Sequence, residues 1–127
     1  MGFEHVEANS APAPAGPYSA AVWAGDFLFL SGQVPLEPSS MKLVEGGFAA
    51  QAERVFDNME ALLADAGLGM SDVVKTTVYL ASAENFSGMN EVYRSRFKSP
   101  FPARTTVAVS SLPLGALIEV EAVAVKP

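Results

Sequence analysis

The residues from Ser99 to Val125 constrain the fold most. Thr105 to Ser110 alternates polar and apolar residues, and Leu117 to Val125 is apolar and β-branched with two acids set into it. Both patterns are those of strands. Leu112-Pro113-Leu114-Gly115 lies between them, with Pro second and Gly fourth, the preference of a type I turn. The expectation is a hairpin that places Glu119 near Ala108, away from Arg104. Glu119 and Glu121 are two apart and share one strand face, with Ile118, Val120, Ala122 and Ala124 on the other.

Arg104 begins the first of these strands, behind Pro100 and Pro102, which restrict the approach to it. A guanidinium on a rigid mount suits bidentate capture of a carboxylate. It equally suits a structural ion pair or a solvated strand end. An exposed face would account for both glutamates. A pocket holding Arg104 and Glu119 together would need sheet twist or a second chain.

Upstream, Tyr18 to Trp23 and Phe27 to Leu30 read as a hairpin around Ala24-Gly25-Asp26. Ser31-Gly32-Gln33 follows, and Pro35 ends the pairing. Residues 37–47 are loop, with a short extended piece at Met41 to Val44. Phe48 to Ala66 is the clearest helix: Phe48, Ala52, Val55, Phe56, Met59, Leu62, Leu63 and Ala66 recur at steps of three and four. Gly67 is its expected C-terminal stop. Asp72 to Ala81 is a Val- and Thr-rich strand. Ser82 caps a second helix running to about Lys98, with Phe86, Met89, Asn90, Tyr93 and Phe97 as its stripe. Asn90 on that stripe needs either a backbone partner or a pocket. The order is β-β-α-β-α-β-β. One mixed sheet with both helices on one face is the α+β arrangement expected, leaving the other face for a second subunit to cover.

The chain's 127 residues are expected to form a single domain, with residues 1–15 as a loose, Pro-containing lead-in. Half of the residues are hydrophobic and 17% are charged, which favours burial of extra surface in an oligomer. A net charge of −6 argues against nucleic acid as a partner. No apolar run approaches the roughly 20 residues of a membrane helix, and the N-terminus lacks the pattern of a secretory signal. There is no cysteine, and the one histidine, His5, falls in the expected lead-in. Thiol nucleophiles, His-based triads, and Cys- or His-ligated metal sites are therefore not expected. Neither GxGxxG nor Walker A spacing occurs. Arg, Glu, Tyr, Asn, Ser and backbone remain. Such a set can bind a small carboxylate and position water.

A family resemblance runs almost end to end. It is carried by Gly16-Pro17-Tyr18-Ser19, Ser31-Gly32-Gln33-Val34-Pro35, Gln51, Asn58 and Val74-Lys75-Thr76-Thr77-Val78. It continues in Asn90 with Tyr93, Phe101-Pro102-Ala103-Arg104, Leu112-Pro113 and Ile118-Glu119-Val120-Glu121-Ala122. On these residues the chain resembles the RidA (YjgF) family of reactive-intermediate deaminases. The resemblance implies a chorismate-mutase-like fold, a homotrimer with sites between subunits, and a cytoplasmic location. It also implies hydrolysis of 2-imino acids, such as 2-iminobutanoate and 2-iminopropanoate, to 2-oxo acids and ammonia without a cofactor or metal. By position, Arg104 would clamp the substrate carboxylate. Glu119 and the main-chain carbonyl of Thr106 would orient water, and Tyr18, Ser31, Gly32 and Asn90 would line the pocket. Several relatives carry Cys where this chain has Thr106, which is harmless if only the carbonyl is used. Alternatives within reach of the same residues are a non-catalytic carboxylate-binding module, and ribonuclease or chaperone-like behaviour. The few cations count against the ribonuclease.

Overall fold

The computed structural model describes residues 2–127. It contains six strands and two helices in the order β1 (Glu4–Val6), β2 (Ala21–Ala24), β3 (Phe27–Gln33), α1 (Gly47–Asp65), β4 (Val73–Leu80), α2 (Phe86–Arg96), β5 (Ala103–Ala108) and β6 (Ile118–Val125). All six strands form one mixed sheet, ordered β1-β2-β3-β6-β4-β5. Both helices cover one face, the chorismate-mutase-like α+β arrangement expected.

Alternation along the strands decides which residues meet the helices. Leu28 and Leu30 on β3, Val78 and Leu80 on β4, and Ile118, Val120, Ala122 and Ala124 on β6 are buried. They pack with Val55, Phe56, Met59, Leu62 and Leu63 of α1, and with Met89, Val92 and Tyr93 of α2. Each large apolar side chain buried in this way contributes about 1.5–3 kcal/mol. Gly67 (φ +80) ends α1 as expected. Leu68 N donates to Leu63 O (2.8 Å) and Gly67 N to Ala64 O (2.9 Å), a Schellman motif with Gly67 left-handed. Gly25 (φ +61) starts the two-residue turn that pairs Ala24 with Phe27.

Three expectations are corrected. First, β5 and β6 do not form a hairpin. β5 pairs with β4 in parallel, Thr76 opposite Arg104, and β6 lies on the other side of β4, Tyr79 opposite Glu119. A parallel pairing needs a crossover, and α2 supplies it. Glu119 is therefore one strand removed from Val107, not beside Ala108. Second, the turn before β6 places Leu114, its third residue, at φ +61, which is the signature of type II rather than type I. Third, the loose lead-in is structured in part. β1 pairs with β2, and the Asp65 carboxylate at the end of α1 accepts the Asn9 (2.8 Å) and Ser10 (3.1 Å) backbone N–H groups. Ala11 is buried beyond that clamp.

Smaller differences follow the same logic. Ser82 caps a 3-10 turn (Ala83–Asn85) that leads into α2, with its Oγ accepting from Glu84 N at 3.3 Å. Phe86, expected in the buried stripe, is 44% exposed. No helix among the described residues is long and apolar enough to cross a membrane.

Candidate functional site

Two concavities hold all the candidate site residues singled out by sequence except Thr106, and they lie on opposite faces of the sheet. The first is a cavity of about 560 Å³ that includes Tyr18, Ser31, Gly32 and Glu119. A bulge in β3 builds it. Leu30 pairs with Ala122 but Gln33 pairs with Val120, so one extra residue is accommodated at Ser31-Gly32. A bulge re-aims the residues at its kink. Ser31 is fixed there: its Oγ donates to Ser19 O (2.7 Å) and its N–H to Ala20 O (2.9 Å). Gly32 presses its backbone against Glu119. A Cβ at this position would sit 2.9 Å from the Glu119 Cδ and closer still to a carboxylate oxygen. A larger residue here would displace the Glu119 carboxylate from its present position.

Glu119 projects from β6 on the face away from the helices, as its pairing with Tyr79 requires. No cation pairs with it among the described residues. Burial raises its pKa above the usual carboxylate range, and the neighbouring Glu121 raises it further. Glu121 in turn accepts a hydrogen bond from Tyr79 Oη at 2.9 Å.

Helix α1 braces this cavity from behind. Asn58, fully buried, donates from Nδ2 to the carbonyls of Val34 (3.2 Å) and Leu36 (2.9 Å), holding the chain that leaves β3. Gln51 Oε1 accepts from Leu117 N at 2.8 Å, holding the start of β6 two residues before Glu119. Both residues matched the family pattern in sequence. Their seven-residue spacing, which puts them on one helix face with the apolar stripe, was the available signal that they reach inward.

The second concavity includes Asn90, Tyr93, Arg94, Phe101, Pro102 and Arg104. Arg104 lies opposite the buried Thr76 on β4 and so points to the helix side. Its guanidinium carbon stands 4.8 Å from the centre of the Tyr93 ring and 5.8 Å from that of Phe86, and Nη1 lies 3.7 Å from Met89 Sδ. The Tyr93 hydroxyl is tied to Thr76 Oγ1 at 2.7 Å, which fixes the ring beneath the cation. Burial raises the Tyr93 pKa, against opposing contributions from Thr76 and Arg104. No carboxylate lies within ion-pair distance of Arg104 among the described residues. Thr106, two residues on, shares this face, and its Oγ1 is buried without a hydrogen-bond partner. β5 is the sheet edge, so one side of its backbone is unpaired.

One chain thus gathers Tyr18, Ser31, Gly32 and Glu119 in one concavity and Asn90 and Arg104 in another, with Thr106 on the same sheet face as Arg104, and it does not join them. Sequence reasoning did not find the Phe86–Met89–Tyr93 cradle as a mount for Arg104. The three-and-four spacing of Phe86, Met89, Asn90 and Tyr93 on α2 carried that information.

Comparison with known proteins gives these concavities a family. Residues 8–126 match the family described as Endoribonuclease L-PSP. A RutC family protein of Pyrococcus abyssi is 45% identical over 126 residues, covering 99% of each chain. The human protein named 2-iminobutanoate/2-iminopropanoate deaminase is 45% identical over 121 residues, covering 95% of this chain and 88% of that one. The crystal structure of RidA from an Antarctic Psychrobacter superposes with a TM-score of 0.92 at 40% identity, covering 96% of this chain and 98% of that one. The chain therefore belongs to the Endoribonuclease L-PSP family, among its RidA (YjgF) members.

Proposed function

We propose that this protein hydrolyses small 2-imino acids to 2-oxo acids and ammonia, at sites shared between the subunits of a homotrimer. One observation carries the reading. A fixed, unpaired guanidinium and a half-buried, unpaired carboxylate occupy opposite faces of one sheet. Each lacks the partner that the other face would supply. Apposing the Arg104 half of one subunit with the Glu119 half of its neighbour completes a pocket with a cation at one end and a base at the other. The exposed Phe27, Phe29 and Val107 on the helix-free face supply apolar surface for such an assembly.

Within the joined pocket Arg104 binds the substrate carboxylate through two parallel N–H donors. Asn90, Tyr18 and the Ser31-Gly32 backbone position the remainder. A protonated imine is already electrophilic, so the step needs a placed water more than an activated nucleophile. Glu119 accepts a hydrogen bond from that water and takes its proton as the C–O bond forms at the imine carbon. The Thr106 carbonyl is the second acceptor for the water. Glu119 returns that proton to the amino nitrogen of the carbinolamine, the C–N bond breaks, and the hydroxyl proton leaves with the ammonia. The iminium carboxylate and water leave as the 2-oxo carboxylate and ammonium, with charge balanced. A carboxyl whose pKa burial has raised is a better proton acceptor than one in water. The deaminase name borne by the human relative supports the same reading.

The test is imine hydrolysis. An amino-acid oxidase generates 2-iminobutanoate, and semicarbazide competes for it. Wild type should suppress semicarbazone formation, and Arg104→Ala should not. A folded wild type that leaves semicarbazone undiminished would replace catalysis with carboxylate binding alone. A light-scattering mass of one subunit would remove the shared site.

A further inference from the structure

We infer that the Glu119 cavity selects 2-imino acids with long apolar side chains, and that Leu114 is the residue that sets this preference. The inference rests on the deaminase reading above and names its substrate class. At about 560 Å³ the cavity falls in the range of about 300–1,000 Å³ that holds ligands far larger than a three-carbon imino acid. Beyond Glu119, Tyr18, Gln33 and the β3 bulge its walls are apolar, with Pro12, Pro14, Val34, Leu36, Met41 and Leu114 among them. They match an aliphatic chain and offer nothing to a polar one.

Leu114 is out of place by two independent measures. Its φ of +61 lies in the left-handed region, where a Cβ is disfavoured and Gly or Asn is the usual occupant. Its side chain is also 67% exposed, so the strain is not offset by burial within the chain. A strained backbone carrying an apolar side chain into solvent is explained if that side chain closes a wall on something. Another part of the wall is pre-formed. Pro12 and Pro14 have fixed φ, and the segment bearing them is anchored by buried Ala11 and by the Asp65 clamp on Asn9 and Ser10. A pocket with a rigid proline-bearing wall and an apolar leucine in its lining favours apolar occupants that fill it.

The test compares kcat/KM for 2-iminopropanoate and 2-imino-4-methylpentanoate in wild type, Leu114→Gly and Leu114→Asn. Each buried methylene is worth about fourfold, so wild type should favour the longer acid by roughly tenfold or more. Both variants should lower that ratio severalfold, with thermal midpoints held or raised because Gly and Asn accept the positive φ. An unchanged ratio, or an equal loss on both acids, would overturn the assignment of Leu114. Wild type that hydrolyses the short acid but shows no preference would overturn the selectivity alone. Wild type that hydrolyses neither would remove the deaminase reading and this inference with it.

Discussion

Arg96 and Arg104 stand eight residues apart, and each guanidinium lies against an aromatic ring. Arg96, the last residue of α2, is 6.0 Å from the Phe56 ring centre; Arg104 is 4.8 Å from that of Tyr93. Their charges fare differently. Arg96 binds the carboxylates of Glu53 (2.8 Å) and Asp57 (2.8 Å) and lies 3.6 Å from Glu60, all on α1. Burial acts to lower its pKa, and the hydrogen bonds it donates to Glu53 and Asp57, with the charges of those acids, outweigh that and raise it. Its cation is consumed in fastening one helix to the other. Arg104 is likewise partly buried but has no acid within ion-pair distance among the described residues. Sheltering a charge without a partner is costly, and on the proposed function the substrate carboxylate is the anion that meets it.

The largest expected effect comes from replacing each arginine by lysine. Arg104→Lys keeps the charge but loses the planar pair of donors, and kcat/KM should fall about a hundredfold, the scale of losing one charge-assisted hydrogen bond in the transition state. Arg96→Lys should leave kcat/KM within about twofold, since a point charge still serves three acids. Full activity in Arg104→Lys would erase the distinction between the two residues.

Stability should divide them the other way. Arg96→Met leaves Glu53, Asp57 and Glu60 together without their cation. Because these acids are about half exposed, the loss should be moderate, about 1–2 kcal/mol by urea unfolding, and smaller in high salt. Arg104→Met should unfold within about 0.5 kcal/mol of wild type, since it breaks no ion pair. A larger loss in Arg104→Met than in Arg96→Met would make Arg104 a structural residue.

How far the sequence reveals this contrast depends on the range of the interactions involved. The α1 stripe is local, and the helix was legible from Ala52 to Leu63. Alternation was equally legible, so the parity that separates Glu119 from Ile118 and Val120 could be read directly. Strand pairing is not local. Sequence adjacency predicted a β5–β6 hairpin because it contains no term for α2 carrying the chain to the far side of β4. That error hid the fact that Arg104 and Glu119 face opposite ways. β1 was missed for a related reason: Glu4-His5-Val6 has little strand pattern of its own and is held by β2 and by Asp65, about 60 residues away. The family resemblance supplied Gly32 as a site residue. It did not supply the contact with Glu119, whose carboxylate a larger residue there would displace.

The smallest effect, and the one that carries the comparison over to acids, is the pH shift that the Glu121 charge imposes on Glu119. The carboxylates around Arg96 have a cation to share; Glu119 has burial and the like charge of Glu121. Its folded pKa is raised above that of the unfolded chain. The stability linked to its proton is therefore fully present below the unfolded value and is lost as pH rises through the folded one. Activity runs opposite, because the proton acceptor must be ionised: kcat/KM should climb as pH rises through the same raised value. Glu121→Gln removes the charge but keeps an oxygen to accept the Tyr79 hydroxyl, now at 2.9 Å from Glu121. The rising limb should then move to lower pH, by less than burial alone displaces it, since burial is the larger cause. Glu119→Gln should abolish the limb, slow hydrolysis, and raise the thermal midpoint at neutral pH by relieving a buried charge. A rising limb that persists in Glu119→Gln would assign the titration to another group and leave Arg104 as the only charged residue required by the chemistry.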